Sequence, residues 1–224
     1  VPKRLRPTAP IAAGAILVGD PGRALLLAQD LLEEPKMSNH ARGLWGYGGR
    51  TVAGEELTIQ STGMGGPSAA VVLADLAKLG VRRAVRIGTC AMVGAAAEPG
   101  GLIVVEAARA EGGSAAAFGV PAGETVLPDL ELTAGLQREL AGAARSGSVA
   151  SLDTIYAGAE PVSDGVLAVD MQTATVLACA RALKIAAATV LIVETAASGE
   201  RAPDGVLEEA AKRAGRAAAG LLSP

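Results

Sequence analysis

Residues 67–90, PSAAVVLADLAKLGVRRAVRIGTC, carry the passage from helix to strand that decides the fold. Pro67 suits a first helical turn, where no N–H donor is needed. The apolar residues then recur at helical spacing to about Leu79, and Gly80 ends the helix. Arg83 to Ile87 follows as a buried strand bounded by Gly88. The same alternation extends both ways. Upstream, Ala15 to Gly19 reads as a buried strand and Arg23 to Leu32 as a helix. Leu44 to Thr51 and Glu56 to Ser61 form a hairpin joined near Ala53-Gly54-Glu55. Downstream, Leu102 to Ala107 is a strand, and residues 108–128 are a surface excursion or short lid. Leu130 to Arg145 is helical up to Gly147, and Val149 to Tyr156 and Val166 to Val169 are strands. Gln172 to Leu183 is a helix, Ile185 to Val193 a β-branched strand, and Asp204 caps a last helix ending at Leu222.

Near-continuous apolar strands alternating with helices predict an α/β fold: one domain over residues 1–224, its central mostly parallel or mixed twisted sheet covered by helices on both faces. Sheets of this kind bind ligands beyond the carboxyl ends of their strands. That rule selects the loops after Val18, Ser61, Ile87 and Val193. Half of the 224 residues are apolar but only four are aromatic, so the core must be Ala, Val, Leu and Ile. A net charge of −3 without a Lys/Arg stripe argues against nucleic acid, although a few converging arginines still suffice for a small anion. Cys90 and Cys179 form no CxxC pair and read as buried free thiols. His40 is the one histidine, so no multi-histidine metal site is expected. Lys3, Arg4 and Arg6 precede an apolar run at Ile11–Val18 that is too short for a leader, and no membrane span is evident; the cytoplasm is expected.

Each selected loop has chemistry to offer. Gly19-Asp20-Pro21-Gly22-Arg23 joins a strand to a helix, where free N–H groups and the Arg23 fork suit an anion; a plain tight turn is the alternative. Thr62-Gly63-Met64-Gly65-Gly66 has more glycine than a turn needs, as for a backbone skirting a ligand, with Met64 on a sugar face or in the core. Arg86 inside an apolar strand either meets a carboxylate or emerges toward an anion, with Thr89 offering its hydroxyl beside it. Asp170-Met171-Gln172 supplies a carboxylate and an amide suited to sugar hydroxyls, although Asp170 also suits a helix cap. Glu194 and Thr195 close the last buried strand as candidate nucleoside contacts, where the carboxylate either meets a substrate or pairs with an arginine. The GxxxxGK[ST], GxGxxG and GxSxG signatures are absent.

Taken together, Gly19-Asp20-Pro21 with Arg23, Arg42-Gly43 with Gly46, Gly63-Met64-Gly65, Arg86-Ile87-Gly88-Thr89-Cys90 and Asp170-Met171-Gln172 resemble the nucleoside phosphorylase family, in the branch of bacterial hexameric purine nucleoside phosphorylase and uridine phosphorylase. The resemblance implies a phosphate site at Gly19, Arg23, Arg86 and Thr89, with Arg42 lent by a neighbouring subunit. It implies nucleoside contacts from Met64, Thr89, Cys90, Asp170, Met171 and Gln172. Arg23 and Arg86 would serve the chemistry directly. The implied reaction is reversible phosphorolysis to a free base and ribose 1-phosphate, by dimers or hexamers with shared sites, with phosphate as co-substrate and no metal or organic cofactor.

The chain departs from that family in the nucleoside half. Gln172 stands where the family has a carboxylate for the ribose hydroxyls. Thr195 stands where purine-cleaving relatives have their acid, and Glu194 points the other way if the strand continues regularly. Tyr156 to Pro161 lacks the Gln and Arg of uridine phosphorylases, leaving Glu160 as a candidate base contact. Pro10 lies near the place of the family's N-terminal histidine. Because uracil leaves as an anion more readily than a purine, the expectation leans to a uridine-like substrate. A purine nucleoside phosphorylase, a hydrolase on the same scaffold and a non-catalytic metabolite-binding protein are the alternatives.

Overall fold

The computed structural model describes residues 4–94, 97–155 and 165–222. Its strands are β1 (Gly14–Val18), β2 (Glu33–Asn39), β3 (Gly46–Arg50), β4 (Glu56–Ser61), β5 (Arg83–Met92), β6 (Leu102–Ala110), β7 (Thr125–Val126), β8 (Ala144–Ser151), β9 (Ala168–Asp170) and β10 (Ala186–Thr195). Its α-helices are α1 (Pro21–Leu31), α2 (Gly66–Lys78), α3 (Leu130–Glu139), α4 (Thr173–Leu183) and α5 (Asp204–Leu222). The sheet is mixed and runs β10-β6-β8-β9-β5-β1-β4-β3-β2. β10 also pairs with β5, so β5, β10, β6, β8 and β9 close into a ring from which β1, β4, β3 and β2 extend as an open wing. The alternation of strands and helices foretold the layers but not this closure.

Helices cover both faces. α2 and α4 pack over one side through Leu73, Leu76, Val176 and Leu177, and α1, α3 and α5 cover the other through Leu27, Leu136 and Leu207. Small residues let them sit close, as expected from a core poor in aromatic rings.

Several elements differ from the expectation; among them, residues 108–128 are not all loop, since β6 runs on to Ala110 and β7 lies at Thr125–Val126. β5 does not stop at Gly88: it continues to Met92, with Gly88, Thr89 and Cys90 paired to Leu191, Ile192 and Val193 of β10. Residues 140–147 are not the end of a helix; α3 ends at Glu139, and β8 begins at Ala144 beside β6. β2 was not anticipated, because its sequence EEPKMSN is mostly polar and exposed, as befits an edge strand.

The ladders on β5 locate the opening in the sheet. On one side β1 accompanies β5 until Val18 meets Ile87, and β9 joins only at Ala91. Gly88, Thr89 and Cys90 lie between these two ladders. There the chain after Val18 turns away into α1, which is a switch point of the kind where α/β sheets hold ligands.

Candidate active site

Arg86 is the centre of the site. Its side chain is 5% exposed, and its Nη2 donates to Asp170 Oδ2 at 2.7 Å while Nε reaches Thr173 Oγ1 at 3.3 Å. Nη1 has no hydrogen-bond partner among the described residues. The guanidinium folds back over Gly88: a Cβ there would lie 2.6 Å from Arg86 Cζ and nearer still to Nη2. Only glycine leaves that room.

Asp170 is held from every side. Besides Arg86 it accepts from Ser151 Oγ at 2.6 Å, from Thr173 Oγ1 at 2.7 Å and from the backbone N–H groups of Gln172 and Thr173. Of the two readings open for Arg86, the buried ion pair is present, and the free Nη1 leaves room for the other. Asp170 itself is turned to Arg86 and capping N–H groups, so it orients the arginine and has no lone pair to spare for a nucleoside. Ser151 and Thr173 belong to this network but were missed in the sequence. Thr173 had a signal, lying next to Gln172 in the quoted motif, whereas nothing local distinguishes Ser151.

Arg23 stands on the first turn of α1. Burial holds its pKa below the usual arginine value; Asp20 and Glu194 oppose that shift, and the positive charge of Arg86 adds to it. The two guanidinium groups therefore influence each other electrostatically, and that of Arg23 makes no hydrogen bond or ion pair among the described residues. The helix terminus itself is already occupied: Asp20 Oδ1 accepts from Arg23 N at 2.8 Å. An anion here would meet the Arg23 side chain rather than that N–H.

Gly19 faces the glycine loop, since a Cβ on it would stand 3.6 Å from Gly63 O. Gly63 and Gly65 have φ of 71° and 79°, which only glycine adopts freely. Met64 between them is 86% exposed, so its core reading is wrong. Gln172 is buried against the same loop, and Met171 lines a shallow cleft with Gly112, Ser114, Ser151 and Thr175. Glu160 lies outside the described residues.

Glu194 is not placed as regular alternation requires. Val193 pairs with Cys90 and Thr195 with Ala91, so Glu194 is the extra residue of a β-bulge. Its carboxylate pairs with Arg201 at 2.5 Å and acts electrostatically on Arg23 and Cys90. Of the two readings open for Glu194, the pairing with an arginine is present, although Arg201 was not singled out as the partner. Cys90 is buried and donates weakly to Ile192 O at 3.6 Å. Burial, with Asp170 next, pushes its thiol pKa far up.

Arg42 belongs to a different face. With Arg4, Arg6, Thr8, His40 and Ala41 it lines a cavity of about 400 Å³, and neither Arg23 nor Arg86 is among these residues. Its φ of 62° puts a non-glycine residue in the left-handed region.

The sequence profile of the phosphorylase superfamily matches residues 14–223. The chain belongs to the phosphorylase superfamily. It is 32% identical over 196 residues to the guanosine phosphorylase of Halorubrum lacusprofundi, covering 80% of this chain and 77% of that one. It is 30% identical over 196 residues to the DeoD-type purine nucleoside phosphorylase of Alkaliphilus metalliredigens, covering 82% of each. A shorter match to the DeoD-type purine nucleoside phosphorylase of Oceanobacillus iheyensis is 43% identical over 84 residues, spanning 37% of this chain and about a third, 35%, of that relative. All three superfamily relatives carry purine names, and the lean to a uridine-like substrate finds no support among them. No group of three or more His, Cys, Asp or Glu residues suited to a metal ion occurs among the described residues. No helix among them is long and apolar enough to cross a membrane.

Proposed function

We propose that this protein catalyses phosphorolysis of a purine nucleoside, releasing the base and ribose 1-phosphate. The observation that carries the reading is the pair Arg23 and Arg86: the two guanidinium groups lie within electrostatic reach of each other, and among the described residues that of Arg23 has no partner and that of Arg86 has Nη1 unused. Asp170 already balances Arg86, so what remains for an anion is the charge of Arg23, which forms no ion pair among the described residues, together with the unused Nη1 of Arg86. Phosphate is the anion this superfamily's name implies. Gly19, which closely approaches the Gly63 loop, and Thr89, three residues beyond Arg86 on β5, are assigned to the same phosphate.

The mechanism follows from charge. Breaking the glycosidic bond leaves positive charge on the sugar and negative charge on the base. A phosphate held by Arg23 and Arg86 neutralises the first and attacks the anomeric carbon, so no side-chain nucleophile is required. The anomeric C–N bond breaks, a C–O bond to phosphate forms, and the electron pair departs on the base. A purine needs a proton at that moment. Thr195 cannot provide one; Glu194, which acts electrostatically on Arg23 and is a carboxylate paired with Arg201, is the group we assign to relay it, taking a proton from solvent and passing it to the purine.

Arg42 is assigned to a neighbouring subunit's phosphate. Support comes from its separation from Arg23 and Arg86 within one chain and from its left-handed backbone, a cost of about 1–3 kcal/mol that proteins retain chiefly at functional positions. Self-association with shared sites is part of this reading.

Incubation with guanosine, inosine, adenosine and uridine, each with and without phosphate, tests the assignment. Base release from a purine nucleoside that depends on phosphate is expected. Release without phosphate, or from uridine alone, would refute it.

A further inference from the structure

Gln172 stands at the start of α4, but its side chain serves the loop after β4. Nε2 donates to Gly63 O at 2.6 Å and to Gly65 O at 3.1 Å, and Oε1 lies 3.2 Å from the Thr62 hydroxyl. Both amide protons are thus committed to backbone carbonyls, and the residue is buried, 3% exposed. The amide orientation is fixed by chemistry: rotated by half a turn, it would aim an oxygen at two carbonyl oxygens. The glycines explain why such a clamp is useful. Gly63 and Gly65 hold left-handed dihedrals that an unrestrained loop samples only in part, and Met64 between them has no packing to hold it, being 86% exposed.

We infer that Gln172 is a positioning residue that fastens the Gly63–Gly65 loop, and that it is not an acceptor for the sugar hydroxyls. The inference rests on the nucleoside reading above only for its kinetic consequence. The same residue also ties the loop to the anion site: its backbone N–H donates to Asp170 Oδ2, the oxygen that receives Arg86. Loop, Gln172, Asp170 and Arg86 form one connected chain of hydrogen bonds from the sugar side to the phosphate side. A carboxylate at position 172 has no proton to give either carbonyl and would be repelled by both. Gln rather than Glu is therefore what this loop requires, and the sugar hydroxyls are left without a charged acceptor from α4.

Gln172→Glu separates the two roles. A clamp predicts a KM for the nucleoside raised roughly tenfold or more, with the KM for phosphate unchanged, because two carbonyls lose their donors and a charge faces them. A sugar ligand predicts the reverse, a lower nucleoside KM from a stronger acceptor. Hydrogen exchange followed by mass spectrometry gives a readout that needs no turnover, so it decides the clamp even where the nucleoside reading fails. Peptides covering residues 62–72 should exchange faster in Gln172→Glu, and also in the neutral, similarly sized Gln172→Met, than in the wild type. Unchanged exchange in both variants, or a nucleoside KM that falls in Gln172→Glu, would overturn the inference.

Discussion

Arg86 and Asp170 meet 2.7 Å apart, with the arginine side chain 5% and the aspartate side chain 0% exposed. Neither charge can leave without stranding the other. Replacing Asp170 by Asn keeps the shape but leaves the guanidinium uncompensated. Removing one partner of a buried pair costs about 3–5 kcal/mol. Urea unfolding of Asp170→Asn should show a loss of that order, and a loss below about 1 kcal/mol would mean that the pair is not buried as described.

Gly88→Ala tests the seat of Arg86. Its methyl group would occupy space now held by Cζ and Nη2, while the strand backbone itself tolerates alanine. The guanidinium must move, and a misplacement near 1 Å costs about a hundredfold in rate. Phosphate-saturation kinetics should show that loss concentrated in kcat/KM for phosphate. An unchanged value would show that Arg86 does not orient the anion.

Glu194→Gln removes the group assigned to relay a proton to the purine but retains the shape of the bulge. General-acid loss predicts a fall of about 10²–10⁴-fold in kcat with guanosine. A ribosyl substrate whose leaving group needs no proton should be cleaved at a nearly unchanged rate. Equal losses with both substrates would assign Glu194 to binding alone.

The two thiols predict an alkaline weakness. Burial pushes the Cys179 thiol up to about 11, and that of Cys90 further still. Between the ordinary thiol value of 9.0 and about 11 the folded protein keeps protons that the unfolded chain has released. Unfolding free energy must then fall as pH rises through that window. Urea midpoints at pH 8 and pH 10.5 should decrease, and native thiols should resist a thiol reagent at pH 8 but react once unfolded. A midpoint that rises with pH would contradict the burial of both residues.

Much of this was legible in the chain because local rules and tertiary structure agree. The Pro67 to Gly80 helix and the strand through Arg86 follow from capping, spacing and apolar content, and they are present as α2 and β5. The strand-end rule for α/β sheets selected the loops that carry Arg23 and Arg86. What escaped depends on partners distant in sequence. The ring closes because β10 pairs with both β5 and β6, and no periodicity encodes a partner. The bulge that brings Glu194 toward Arg23 is a register shift invisible in residues 185–195. Met64 illustrates the opposite error: an apolar residue between glycines was open to a core reading, but the loop's dihedrals turn it outward.

The sugar product formed from guanosine in phosphate buffer tests the central claim most directly. An anion held by Arg23 and Arg86 as the attacking group predicts ribose 1-phosphate in equal amount to guanine. Free ribose in its place, with guanine still released, would mean that water attacks and that the two arginines do not hold the nucleophile.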